Sequence, residues 1–204
     1  MSSQKYQPHE DEFCLVDEIA ESGSSSRGID AFALSVLRCE RQARKIFTYL
    51  VYQAAAFGRD DVSALRLTLA SNTKFDFQSA LAGIDLISPV GLPLLIGNDY
   101  LERLVKLGEV KKIRNKLFHG QISAVGITTD DLLRHVRSVR EWTALLGAES
   151  NKQLGYDGFG RNSFRKHYDE NFGHRIKQQL KNQEDYSALI RMAVRSGRDI
   201  FPKD

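Results

Sequence analysis

Apolar residues recur along most of this chain at steps of three, four and seven, the spacing that turns one face of a helix towards a core. Val36, Ala43, Phe47, Leu50, Ala54 and Phe57 keep that spacing and predict a long first helix over about 30–57, ended by Gly58. Ahead of it, Phe13, Val16 and Ala20 predict a short helix before the linker Ser22-Gly23-Ser24-Ser25-Ser26. Asp60-Asp61 can cap a helix running to about residue 70, and Asn72-Thr73 breaks it before another apolar-rich segment, 75–87. Pro89, Gly91, Pro93 and Gly97 then predict a loop, closed where Asn98 or Asp99 caps the next helix. In that helix Leu101, Leu104, Leu107, Val110, Ile113 and Leu117 form a stripe that drifts around the axis. Gly108 sits where the drift can be absorbed, and the pattern leaves open whether there is one helix or two. After a loop over 121–127, Thr128 and Asp131 resemble a capping box with Asp in place of Glu. Leu132, Val136, Val139, Thr143 and Leu146 follow as the most regular stripe of the chain, up to Gly147. A last helix over about 185–196 carries Leu189, Ile190 and Ala193 on one side.

The pattern predicts an all-α protein, with an acidic N-terminal segment and linker over 1–27, a helical bundle over 28–147 and an irregular plus helical extension over 148–204. A length of 204 residues with 42% hydrophobic content is enough for one real core, and only four prolines interrupt it. Cys14 and Cys39 have no metal-ligand or disulfide-framework spacing, which fits reduced thiols in a cytoplasmic protein. The start of the chain lacks a basic segment followed by an apolar run. The most apolar stretch, 84–96, is interrupted by Asp85, Pro89 and Pro93 and is too short to span a bilayer, so no membrane partner is expected.

Charge adds a polarity to this picture. The net charge is only +3, yet residues 1–30 hold two basic against seven acidic side chains, while 150–181 hold seven basic against three acidic. An acidic segment can lie over a basic site and compete with a polyanion, or can be a solvated tail; composition alone allows both.

One stretch concentrates the chemistry: Ile113-Arg114-Asn115-Lys116-Leu117-Phe118-His119-Gly120. Asn115 and His119 share a helix face, whereas Arg114 and His119 point about 140° apart on an unbroken helix. Gly120 stands where a terminal glycine ends a helix, which frees His119 from strict helical direction. Arg114-Asn115-x-x-x-His119 followed by Gly120 resembles the Arg-x(4–6)-His signature of the HEPN superfamily (higher eukaryotes and prokaryotes nucleotide-binding). The resemblance covers about 28–147 and implies an antiparallel all-α bundle, homodimerisation and, often, metal-independent ribonuclease activity of the toxin or phage-defence kind.

The chemistry expected of such a site is attack of an RNA 2′-OH on the adjacent phosphorus, leaving a 2′,3′-cyclic phosphate and a 5′-hydroxyl. It needs a base, an acid and cations for the phosphoryl oxygens, tasks that imidazole and guanidinium perform near neutral pH without metal or cofactor. His119 is the candidate acid or base, Arg114 the phosphate clamp, and Asn115 the residue that orients His119 or the phosphate, with Lys116 in support. An acidic residue on the first helix of a HEPN bundle often holds the motif arginine, which makes Glu40 a supporting candidate. A pair between Glu40 and Arg44, four residues on, is the plainer alternative. With a single histidine per motif, either one residue does both jobs or two chains share the site; the homodimerisation that the resemblance implies would make the site composite. Some HEPN toxins carry a tyrosine two positions after the histidine that a partner enzyme modifies; Gln121 stands there instead. The second functional class is a non-catalytic HEPN module that dimerises or holds a nucleotide and acts with an antitoxin or regulatory protein.

RNA-backbone candidates are Arg134, Arg137 and Arg140 in the helix after the motif, and Arg161, Arg165 and Lys166 in the C-terminal extension. The latter alternate with Tyr156, Phe159, Phe164, Tyr168 and Phe172, as in single-strand binding, although the same aromatics can instead pin an irregular segment to the bundle. Trp142 is expected in packing. His9, His135, His167 and His174 lack the motif's context.

Overall fold

The structure is a computed structural model and describes residues 8–119, 126–160 and 162–202. All regular structure among them is helical: α1 (Pro8–Glu21), α2 (Arg27–Tyr52), α3 (Val62–Ser71), α4 (Phe77–Ile87), α5 (Leu92–Ile96), α6 (Tyr100–Phe118), α7 (Thr129–Leu154) and α8 (Gln183–Gly197). Single 3-10 turns stand at Arg59–Asp61 and Glu170–Arg175. The all-α class expected from the periodicity is the class observed.

The axis of the fold is α2, which packs along α7 and α4 and against α1, while α8 lies on α4 and α6 packs on α7, α5 and α2. That placement explains why Ala31, Phe32, Ala43, Ile46, Phe47 and Leu50 are all fully buried, since a helix surrounded by others is apolar on most faces. Several of the buried polar groups on and just after it reach α7 and the irregular chain that follows α7. Gln42 Nε2 donates to the carbonyls of Thr143 and Asp157 at 2.9 and 3.0 Å. Gln53 donates to the Arg165 carbonyl and accepts from the His167 N–H. The Tyr49 hydroxyl donates to the Leu154 carbonyl, and its ring stacks on Tyr156. Without these partners the segment after α7 would bury unsatisfied backbone.

Several boundaries differ from the periodic expectation. α2 stops at Tyr52 rather than at residue 57, because the Lys166 ammonium takes the carbonyls of Tyr52 and Ala54 at 2.6 and 2.9 Å, in the place of a further helical turn. The loop after α4 holds the short α5, with Pro93 in its first turn. One helix, α6, passes through Gly108, against which Phe201 packs from outside. The capping box forms as expected: the Asp131 N–H donates to the Thr128 hydroxyl, and the Thr128 N–H to the Asp131 carboxylate. α7 then runs past Gly147 to Leu154 and ends at Gly155, whose φ of 73° is left-handed. Gly147 is a point of close approach inside the helix, since a Cβ there would stand 2.9 Å from both Gln42 and the Phe159 ring.

Candidate active site

α6 carries the motif. Leu104, Leu107 and Val110 bury one side of it, Asn115 and Arg114 sit a turn or more beyond, and the last turn emerges with Phe118 and His119 exposed. Arg114 turns back towards α2, where its Nε lies 3.5 Å from Glu40 Oε1, and its Nη1 donates to Asn115 Oδ1 at 3.3 Å. The Phe118 ring covers the guanidinium at 4.8 Å. Arg44, the alternative partner of Glu40, gives its Nη2 to the Phe75 carbonyl at 2.6 Å.

Arg114 forms part of the wall of a cavity of about 350 Å³ between α2, α4, α6 and α7. Val36, Leu107, Val110 and Val139 line it with Phe75, and its polar groups are Glu40, Arg44, Asp76, Gln78, Lys111 and Asn115. Asp76 is partly occupied as the cap of α4, accepting from the Ser79 N–H at 3.0 Å. Burial raises the Glu40 carboxyl above its ordinary value and Asp76 adds to the rise, against the opposing pull of Arg114 and Arg44. Cys39 also faces the cavity, where burial pushes its thiol far up and makes it inert. The Lys111 ammonium bonds the Gln78 amide oxygen. On the far side of Lys111 and Asn115 lies a second hollow of about 400 Å³, roofed by Phe201 and Pro202.

His119 stands apart. It follows α6 as its cap, its N–H bonded to the Asn115 carbonyl at 3.1 Å, and it is not among the residues lining the cavity. No hydrogen bond joins its ring to Arg114. Lys116 is exposed on the last turn, while Gly120 and Gln121 lie outside the described residues. One chain therefore joins Glu40, Arg114 and Asn115 and leaves His119 on open surface one turn away.

Nothing matches this chain in comparisons with family models, curated proteins and solved structures. Its function rests on its own residues. Among those described, no group of three or more His, Cys, Asp or Glu is placed to hold a metal ion, and no helix is long and apolar enough to cross a membrane.

The more distant RNA-backbone candidates divide. Arg134 pairs with Asp131 one turn back, and Arg137 is exposed. Arg140 is covered by α1, where Asp17 and Glu10 engage it above the Phe13 ring. Glu12 of α1 holds Arg38 at 2.6 Å and Arg41 at 3.3 Å, so the acidic segment does lie on basic surface, pinned there by the fully buried Phe13 and Val16. Lys166 is committed to the end of α2, Arg165 is half-buried, and Arg161 lies outside the described residues. Of the aromatics, Tyr156, Phe159 and Phe172 are buried, Phe164 is half-buried beneath Arg66, and Tyr168 alone is open, at 86% exposure. They pin the segment to the bundle. Trp142 is buried, as expected. His9 bonds the Thr143 hydroxyl, His135 packs against Phe32, His167 stacks on Phe172, and His174 is exposed outside the cavity.

The motif reading missed Arg44, Asp76, Gln78 and Lys111. Two had a local signal: Arg44 is one turn from Glu40, and Lys111 one turn from Arg114 and Asn115. Asp76 and Gln78 had none, because only the packing of α4 on α2 brings them to the cavity.

Proposed function

We propose that this chain is a metal-independent endoribonuclease of the HEPN type, acting in the cytoplasm as a toxin or defence effector. The observation that carries the reading is the placement of Arg114, held between Glu40 and Asn115 at the wall of a cavity, with His119 exposed one turn further along the same helix. In the proposed reaction the 2′-oxygen bonds to phosphorus as the P–O5′ bond breaks. A base removes the 2′-OH proton and an acid returns one to O5′, so the products are a 2′,3′-cyclic phosphate and a 5′-hydroxyl and no net proton is consumed. Arg114 neutralises the charge growing on the phosphoryl oxygens, and its planar fork suits two of them at once. Asn115 shares an α6 face with His119 and holds Arg114 through its amide oxygen, while Lys116 adds positive charge at the open end of the helix.

One chain supplies one His119, and in-line displacement needs an acid and a base on opposite sides of phosphorus. A homodimer joined beside the end of α6 would set two copies of Arg114 and His119 across one groove. The exposed Phe118 on the last turn of that helix is apolar surface suited to such a contact. A regulatory partner protein would act on the same surface. The test is incubation of the purified chain with end-labelled RNA in EDTA: cyclic-phosphate and 5′-hydroxyl ends are expected, and intact RNA would overturn the reading.

A further inference from the structure

The cavity beside Arg114 has a composition that phosphate binding does not require. A phosphate clamp needs cations on open surface, yet here apolar Val36, Leu107, Val110 and Val139 build a concave wall, and the Phe75 ring stands with them. Polar groups of both kinds face the same space: the carboxylates of Glu40 and of Asp76, the latter occupied as the cap of α4, on one hand, and the Arg44 and Arg114 guanidiniums, the Lys111 ammonium and the Asn115 amide on the other. A volume of about 350 Å³ is at the small end for ligand pockets, right for one flat heterocycle rather than a stretch of chain.

Two of these groups are short of partners. Among the described residues no donor hydrogen-bonds the Glu40 carboxylate, and the Arg114 Nε beside it is buried with no acceptor in hydrogen-bonding geometry. A half-buried carboxylate that accepts no hydrogen bond from the protein is open to a ligand N–H that reaches it. Arg44, one helical turn from Glu40, gives Nη2 to the Phe75 carbonyl and lies over the Phe75 ring, and its guanidinium carries further donors that a ligand could use.

We infer that this cavity is a base pocket that selects guanine on the nucleotide next to the cleaved phosphate. The inference rests on the ribonuclease reading for the placement of that phosphate at Arg114. Guanine presents two adjacent donors, N1–H and the 2-amino group, which match the two oxygens of one carboxylate. It also presents two adjacent acceptors, O6 and N7, the pair that guanidinium reads bidentately. Glu40 and Arg44 supply one of each on neighbouring turns of α2. Uracil would set carbonyl oxygens on both sides of its single N–H against Glu40, and adenine and cytosine offer the carboxylate one amino group beside a ring acceptor. The edges of Val36, Leu107 and Val110 that line the cavity would meet the base from below.

The experiment is calorimetric titration of the full chain with 3′-GMP, 3′-AMP, 3′-CMP and 3′-UMP, in the wild type and in Glu40→Gln. In the wild type 3′-GMP should bind about tenfold or more tighter than 3′-UMP, the range of one bidentate base contact. Glu40→Gln should bring that ratio near one; mere loss of support for Arg114 would weaken all four nucleotides alike and keep the ratio. Equal binding of the four, no binding at all, or a ratio that survives in Glu40→Gln would overturn the pocket. If the variant does not fold, mapping of wild-type cleavage sites decides, with cuts indifferent to guanine counting against it. Selective 3′-GMP binding without RNA cleavage overturns the ribonuclease reading instead, and base-indifferent cleavage overturns only the pocket.

Discussion

The Nε of Arg114 lies 3.5 Å from the Oε1 of Glu40 without hydrogen-bonding to it, so the pair that would aim the phosphate clamp is in place but not closed. A shift of a few tenths of an ångström would close it, and a phosphate drawing on the outer nitrogens of Arg114 supplies a reason to shift. Both groups are held on helices, α2 and α6, whose axes are fixed by core packing rather than by the pair itself.

Activity should follow that geometry. Arg114→Ala and His119→Ala are each expected to reduce metal-independent cleavage to background while the helical circular dichroism is retained, because neither side chain belongs to the buried core. Glu40→Ala should lower the rate by about 100-fold, the scale of a misplaced rather than a missing group. Wild-type cleavage by either motif variant would remove those residues from the mechanism.

Mixing experiments address the composite site. When inactive His119→Ala chains are added to wild type at rising ratios and allowed to exchange, a shared site makes activity fall more steeply than the wild-type fraction, since each mixed dimer lacks one histidine. A strictly proportional decline, or cleavage by a species that sediments as a monomer, would show that one chain suffices.

The Glu40 carboxyl predicts a pH signature in stability. Burial, with a lesser push from Asp76, sets its folded value above the ordinary 4.5, so the native state holds the proton more tightly than the unfolded chain. Its stabilising contribution is then full below that ordinary value and is lost as pH rises through the folded one. Urea unfolding of wild type and Glu40→Gln, compared from acid to neutral pH, should show the difference moving in favour of the variant as pH rises. A difference independent of pH would mean that Glu40 is not desolvated in solution.

The acidic helix makes a two-part prediction. Phe13 is fully buried beside α2 and α7, so Phe13→Ala should cost about 3–5 kcal/mol of unfolding free energy in urea. Neutralising Glu10, Glu12 and Asp17 together, which keeps that core intact, should free Arg38, Arg41 and Arg140 and tighten RNA binding most at low salt. Unchanged affinity in the neutralised variant would confine those ion pairs to a structural role.

The sequence by itself determined what depends on neighbours a few residues away. Helical periodicity located most of the α-helices, the Thr128–Asp131 box started α7, and one turn of α6 announced Arg114, Asn115 and His119. Tertiary structure decided what depends on residues far apart in the chain. α2 ends at Tyr52 because Lys166, more than a hundred positions later, takes its last carbonyls, and Gly147 is a contact point inside α7 rather than its end, since Gln42 and Phe159 occupy the space a side chain would fill. The basic and aromatic C-terminal stretch has the composition of a single-strand binding segment, yet Tyr156, Phe159 and Phe172 are in the core, since large apolar rings gain more from burial than from water. The cavity is the clearest case. Its walls come from α2, α4, α6 and α7, and no local pattern reports that Gln78 and Asp76 will face Arg114, because only the packing of α4 on α2 brings them there.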